Sequence, residues 1–238
     1  MMRCLREDLW LLELGWSAPL GSNAYLIDDG IDTETGDQSG GDVTLIDTGY
    51  RYNRRSLEGE LEAAGYVPDD IDRVLLTHYD LDHTWGLDSV SFDCPVYLGE
   101  RDVALVEGTW DPPITHHKGL FHRAARQLFS LPADIDLHGV SDEQQIGRFT
   151  AYHTPGHNPG HTVYIHDAGV AFLGDLLWET DGELTTPFWG DSYDMRQLRE
   201  SVRDLAYRCP PFGVACIGHG TPITDRGYER LQTLAEEV

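Results

Sequence analysis

The stretch Thr77-His78-Tyr79-Asp80-Leu81-Asp82-His83, "THYDLDH", sets two imidazoles and two carboxylates within six positions, directly after the apolar run Val74-Leu75-Leu76. A short apolar run of this kind reads as a buried strand, so the four polar side chains fall where the strand ends. At i, i+2, i+4 and i+5 they cannot all face one way on a strand, because successive side chains alternate. On a loop after the strand they can converge, with Tyr79 and Leu81 pointing elsewhere. Imidazole and carboxylate together suit Zn, Fe or Mn. The competing reading of the same residues is a set of surface acids, one of them capping a helix that starts near His83-Thr84-Trp85.

Three further places set a metal-compatible side chain at a strand end. "HTPGHNPGH" at 153–161 is a histidine-rich loop, "FLGD" ends an apolar strand at Asp175, and "CIGHG" ends another at His219. Strand ends are where folds built from sheets and helices assemble their sites. His153, His161 and His166 read as ordinary strand or loop histidines, whereas His157, Asp175 and His219 read as ligands.

Taken in order, these stretches resemble the metallo-β-lactamase fold superfamily. Its pattern is an apolar strand with "THxHxDH", then "TPGHTPGH", a "GD" strand end and "GHG". "NAYLI" at 23–27 and "LIDTG" at 45–49 match its opening strands, and the resemblance runs from about residue 20 to residue 225. It implies an αββα sandwich with a dinuclear site at one edge. By motif, His78, Asp80 and His157 hold the first ion, Asp82, His83 and His219 the second, and Asp175 bridges them. Asp47 then ties the loop beneath the site. The resemblance also implies a hydrolase that uses a metal-bridging hydroxide, with Asp82 passing the proton to the leaving group, and an ester, thioester or lactone as substrate.

One position departs from the pattern. Asp80 stands where the family usually has histidine. Two divalent ions against Asp80, Asp82, Asp175 and a hydroxide leave no net charge, whereas histidine at 80 leaves one positive charge. The aspartate form is the weaker Lewis acid and favours harder ions, so Fe or Mn stand beside Zn as the expected pair of divalent ions.

Around these motifs the chain reads as strands at "DLWLLEL", "NAYLID", "VTLIDTG", "IDRVLLTH", "CPVYLGE", "RFTAYHT", "HTVYIHD", "GVAFLGD" and "FGVACIGHG". Turn signals surround Pro19 and Gly21, and "GIDTETGDQSGGD" is a polar loop. Helical spacing marks "RRSLEGELEAAGY", stopping near Gly65, a helix from about Arg101, "DMRQLRESVRDLAY" and "TDRGYERLQTLAEEV". Residues 109–131 mix a proline loop with an amphipathic helix, and His116-His117-Lys118 reads as a solvated loop, with the substrate mouth as its alternative. Trp178, Trp189 and Tyr193 belong either to the core or to a pocket wall. The expectation is one domain, residues 1–238, with two halves that each run from strands into helices.

Acidic side chains outnumber basic ones 41 to 17, for a formal charge of −24, and Lys118 is the only lysine. The carboxylates are dispersed between apolar segments rather than collected in a tail. This composition resembles that of proteins from salt-loving organisms, where screening removes the self-repulsion. It argues against a phosphate-backbone partner. A nuclease of the tRNA-processing type therefore stands as the alternative function, beside a non-catalytic metal-binding role. No run approaches the ~18 apolar residues of a membrane span, and "MMRCLREDLW" has no signal-peptide pattern, so a cytoplasmic protein acting on a small molecule is expected. Four cysteines without a close pair read as reduced, mostly buried thiols.

Overall fold

The computed structural model describes residues 2–15, 21–31, 40–51 and 55–238. The turn around Pro19 and most of the polar loop after Ile31 lie outside the described residues. The chain forms two compact units: Met1–Leu76, Asp80–Tyr97 and Leu131–His138 make the first, and Thr77–Tyr79, Leu98–Ser130 and Gly139–Val238 the second.

The first unit is built on a sheet whose strands follow chain order: β1 (Arg3–Arg6), β2 (Leu9–Leu14), β3 (Ser22–Asp28), β4 (Val43–Ile46), β5 (Arg73–Leu75), β6 (Pro95–Gly99) and β7 (Asp136–Val140). The first four pair antiparallel, while β4–β5 and β5–β6 are parallel. Every residue of β3 and β4 is buried, the polar Ser22, Asn23, Asp28 and Thr44 with the apolar core of each strand. Helix α1 (Leu57–Ala64) connects β4 to β5. The Ser56 hydroxyl caps it by accepting from the Gly59 N–H, and Gly65 ends it at φ 95°, as its sequence position predicts. A one-turn helix, α2 (Leu81–Thr84), follows the opening motif.

The second unit holds α3 (Glu100–Val106), α4 (His117–Leu128) and a sheet ordered β14-β11-β10-β9-β8. Its strands are β8 (Gln145–Ile146), β9 (Phe149–His153), β10 (Thr162–His166), β11 (Val170–Gly174) and β14 (Val214–Ile217). A hairpin of β12 (Trp178–Thr180) and β13 (Glu183–Thr185) and the helices α5 (Met195–Arg208) and α6 (Gly227–Glu237) complete it. Helix α5 buries Leu198, Ser201, Val202, Leu205 and Ala206, an i, i+3, i+4, i+7, i+8 stripe. That stripe joins a core with Val163, Ile165, Leu173, Ile217 and Leu231. Each large aliphatic side chain so buried contributes at most about 1.5–3 kcal/mol. Asp194 caps α5 by accepting from the Arg196 and Gln197 N–H groups, which anchors the segment that carries Asp191.

His116-His117-Lys118 is not a solvated loop. His116 is the cap of α4, the helix begins at His117, and Lys118 is only 7% exposed. No helix among the described residues is long and apolar enough to cross a membrane. All four cysteines are free thiols; Cys209 and Cys216 are buried, and burial pushes the Cys209 thiol up to about 12, which makes it a poor nucleophile.

Candidate metal centre

In the first unit, β4 delivers Asp47 and the segment after β5 delivers Asp80, Asp82 and His83. His83 is fully buried, and its Nδ1 lies 2.8 Å from Asp47 Oδ2. A carboxylate on Nδ1 fixes the tautomer with its proton there, so Nε2, on the opposite side of the ring, is the nitrogen left to bind an ion. Asp82 Oδ2 is 3.6 Å from that Nε2. The backbone is held as firmly: the Thr48 N–H donates to the His83 carbonyl at 2.8 Å, and the Ser22 hydroxyl donates to the Asp82 carbonyl. Asp47 pays for its place with a φ of 58°, a left-handed conformation uncommon outside glycine. Asp47 thus ties the loop carrying His83, as expected. Asp47→Asn is expected to weaken ion binding about 10–100-fold without unfolding the chain, read by competition with a chelating dye.

Asp80 occupies the cap position of α2, but its side chain makes no capping bond; its carbonyl instead accepts from the His83 and Thr84 N–H groups.

In the second unit, Asp175 follows β11 directly and is 2% exposed. Its Oδ2 is 3.0 Å from His219 Nε2 and 3.6 Å from His157 Nε2, so one buried carboxylate oxygen lies near imidazoles from two separate loops. His78 meets His157 edge to face, with centroids 4.7 Å apart, and its Nδ1 is 3.0 Å from Thr77 Oγ1. His157 and His78 are both fully buried, while His219 is partly exposed and packs its ring against Trp178 at 5.8 Å. Trp178 is therefore a wall of the site.

Two residues that sequence reasoning did not place here join them. A ligand atom of Asp191 lies within 4.8 Å of those of His157 and Asp175. Lys118 Nζ donates to His157 Nε2 at 2.9 Å and to the Asp191 carbonyl at 2.7 Å. His161 bonds Thr154 Oγ1 at 2.8 Å behind His78, His153 bonds the Pro159 carbonyl, and His166 packs edge-on against Phe149.

The loop from 154 to 161 is fixed from below. Asp102 on α3, fully buried, accepts the Tyr79 N–H through Oδ2 and the Gly160 N–H through Oδ1, both at 2.8 Å. Asn158 donates to the Tyr79 carbonyl at 3.1 Å. Two glycines are dictated by close approach: a Cβ at Gly160 would stand 2.4 Å from the Asp102 amide nitrogen, and one at Gly156, where φ is 140°, 2.3 Å from that of Leu198. A cavity of about 750 Å³ in the same unit is lined by Arg101, Trp110, His116, His153 and Tyr193 among others; none of His78, His157, Asp175 and His219 lines it.

A sequence profile of the metallo-beta-lactamase superfamily matches residues 18–219. The chain belongs to that superfamily. Among superfamily relatives, an uncharacterized protein of Mycobacterium leprae is 28% identical over 211 residues, covering 84% of this chain and 90% of that one. A probable metallo-hydrolase of Bacillus subtilis is 26% identical over 192 residues, covering 78% and 79%. A crystal structure described as a di-iron-bound form is 24% identical, covers 95% of this chain and all of that one, and superposes with a TM-score of 0.64. This metallo-beta-lactamase superfamily chain therefore has the metallo-β-lactamase fold, and its buried histidine and aspartate groups suit divalent ions.

The donor set fits such ions. At two of these imidazoles, His78 and His83, an oxygen engages Nδ1 and leaves Nε2 as the nitrogen that could bind an ion, and the accompanying carboxylates are hard oxygen donors.

Proposed function

We propose that the protein is a metal-dependent hydrolase that cleaves an ester, thioester or lactone bond. The observation that carries this is Asp175: a buried carboxylate shared between the ligand nitrogens of His157 and His219, the placement of a bridging ligand. By the motif order of the superfamily, His78, Asp80 and His157 would hold one ion and Asp82, His83 and His219 the other. Ions bound there supply an activated water at neutral pH and a Lewis acid for the carbonyl.

The chain's own residues supply the rest. Asp82, partly exposed, would receive a proton and pass it to the leaving group. Asp47 keeps His83 in its ligating tautomer, and Trp178 screens His219 from bulk water. Phe188 and Trp189, 58% and 68% exposed beside Asp191, offer an apolar rim. An acyl chain or lactone ring would cover that rim, whereas a polyanionic nucleic acid gains nothing from it and meets a chain of charge −24.

The test pairs elemental analysis of protein purified without chelator with a panel of ester, thioester, lactone and phosphodiester substrates in molar KCl. Bound transition metal and turnover of a carboxylic ester class are expected, with loss of both in chelator. A protein that takes up no ion, or that cleaves only the phosphodiester, overturns the proposal. Asp80→His restores the usual family ligand and raises the site charge by one, so the metal recovered should shift toward zinc relative to iron and manganese. Unchanged metal selectivity would remove Asp80 from the ligand set.

A further inference from the structure

The chain has one lysine, and that lysine is buried against a residue proposed to bind metal. Lys118 is the second residue of α4. The helix start is pinned to the segment 190–193 by its neighbours: His117 Nε2 bonds the Gly190 carbonyl and His116 Nε2 the Tyr193 carbonyl, each at 2.8 Å. The side chain at 118 is thereby committed inward, where Nζ meets His157 Nε2 and the Asp191 carbonyl. In a surface so poor in lysine, burying the single example at this point calls for a reason.

The chemistry of the contact supplies one. A lysine ammonium donates and cannot accept, so His157 Nε2 must accept, and the ring is neutral with its proton on Nδ1. That is also the tautomer that ligates a metal through Nε2. The nitrogen has one in-plane lone pair. An ion coordinated by His157 through Nε2 would take that lone pair. The lysine nitrogen sits 2.9 Å from Nε2 on the same lone pair. The ion and the amine cannot both use it. The amine is also suited to replace the ion electrostatically, because the ligand atoms of Asp175 and Asp191 lie within 4.8 Å of that of His157. A cation placed among them offsets the repulsion between two carboxylates in a poorly hydrated site.

We propose that Lys118 is a built-in competitor for the first metal ion: its amine holds the His157 lone pair when that ion is absent, and the ion binds only as the amine withdraws. The inference rests on the metallo-hydrolase reading and deepens it. The two ion positions become unequal. The position of Asp82, His83 and His219 fills first, and the position of His78, Asp80 and His157 fills with an affinity lowered by the cost of displacing the lysine. Lys118 acts here as a positioning residue, through His157.

The experiment is a Co²⁺ titration of the metal-stripped full chain, followed by visible absorption and by equilibrium dialysis, for wild type and for Lys118→Met. Methionine keeps the length and apolar stem while removing the charge. Wild type is expected to take up one ion firmly and a second at least about tenfold more weakly, and Lys118→Met should tighten the second about 10–100-fold. Two equally tight ions in wild type, with no change in the variant, overturn the competitor while leaving the metallo-hydrolase standing. A weaker second ion in the variant also overturns it, since the lysine would then support the ion. No uptake of Co²⁺ by wild type removes the metallo-hydrolase reading itself. If Lys118→Met does not fold, the wild-type amine reports directly. Lys118 is the one lysine of the sequence, so amine labelling read by peptide mass spectrometry isolates this side chain. Its labelling should rise over the second equivalent of Co²⁺. Labelling that stays flat at saturating ion rejects the displacement.

Discussion

Raising KCl from millimolar to molar concentration is expected to lift the thermal midpoint by about 10–20 °C, a gain of several kcal/mol for a chain of this size. The cause is arithmetic. Against 41 carboxylates stand 17 lysine and arginine side chains, and several of the described arginines already stand in local pairs. Arg208 alone serves Asp142, Glu143 and Asp204, at 2.6, 3.1 and 2.6 Å. The remaining carboxylates repel one another across the surface. At 0.01 M salt that repulsion reaches about 30 Å, and at 1 M about 3 Å, shorter than most of the separations involved. The repulsion is greater in the compact state than in the unfolded chain, so screening favours folding. Melts followed by circular dichroism at fixed pH, with glycerol as a control for osmolyte effects, make the measurement. A midpoint that does not move with salt would require another origin for the acidity.

Asp102→Ala is expected to cost about 2–4 kcal/mol and to lower ion affinity at the same time. The substitution leaves two buried N–H donors, those of Tyr79 and Gly160, without their acceptor, at about 1–3 kcal/mol each. Part of that is offset because a buried carboxylate is removed. Asp102→Asn keeps one acceptor and should recover part of the loss. The pH dependence has a definite sign. Burial raises the Asp102 pKa above its ordinary 3.8, against the opposing pull of the Tyr79 N–H, the neighbouring His122 and His78 rings, and the Gly160 N–H. A carboxyl raised in the folded state contributes most below its unfolded pKa, and the contribution falls as pH rises through the folded value. The stability gap between wild type and Asp102→Ala should therefore narrow as pH climbs from about 4. Urea denaturation at constant ionic strength across that range measures it, and a gap that widens with pH would mean that the two N–H bonds outweigh burial. The link to function is positional: Tyr79 adjoins His78, and Gly160 closes the loop of His157.

Much of the fold was legible because its strands are nearly continuous apolar runs that end on chemically distinctive residues. "VTLID", "VAFLGD" and "ACIGHG" each mark a strand and its terminal polar group in one reading. The α5 stripe and the Gly65 stop follow from periodicity and capping alone. What escaped was tertiary in origin. Nothing in "THHKGLF" announces a buried lysine; its burial depends on His157, 39 residues on, and on a carbonyl 73 residues on. Asp191 lies in a single 3₁₀ turn, with no spacing to any other ligand that a motif could register. The β12–β13 hairpin did carry a signal: Asp181-Gly182 takes φ of 54° and 82°, the paired positive values of a type I′ turn, for which Asp-Gly is the common sequence. Its strands have three residues each, too short for alternation to show.

The left-handed backbone at Asp47 sets an evolutionary constraint of its own. Glycine would relax that φ most completely, but it has no oxygen for His83. Asparagine tolerates the conformation and reaches the ring, but brings no charge to hold the imidazole proton on Nδ1. Aspartate alone meets both demands, at about 1 kcal/mol of conformational strain. A library varied at position 47 and selected for thermal stability should drift toward glycine and asparagine, while one selected for ion retention should return aspartate, so at this residue durability and chemistry are under opposing selection.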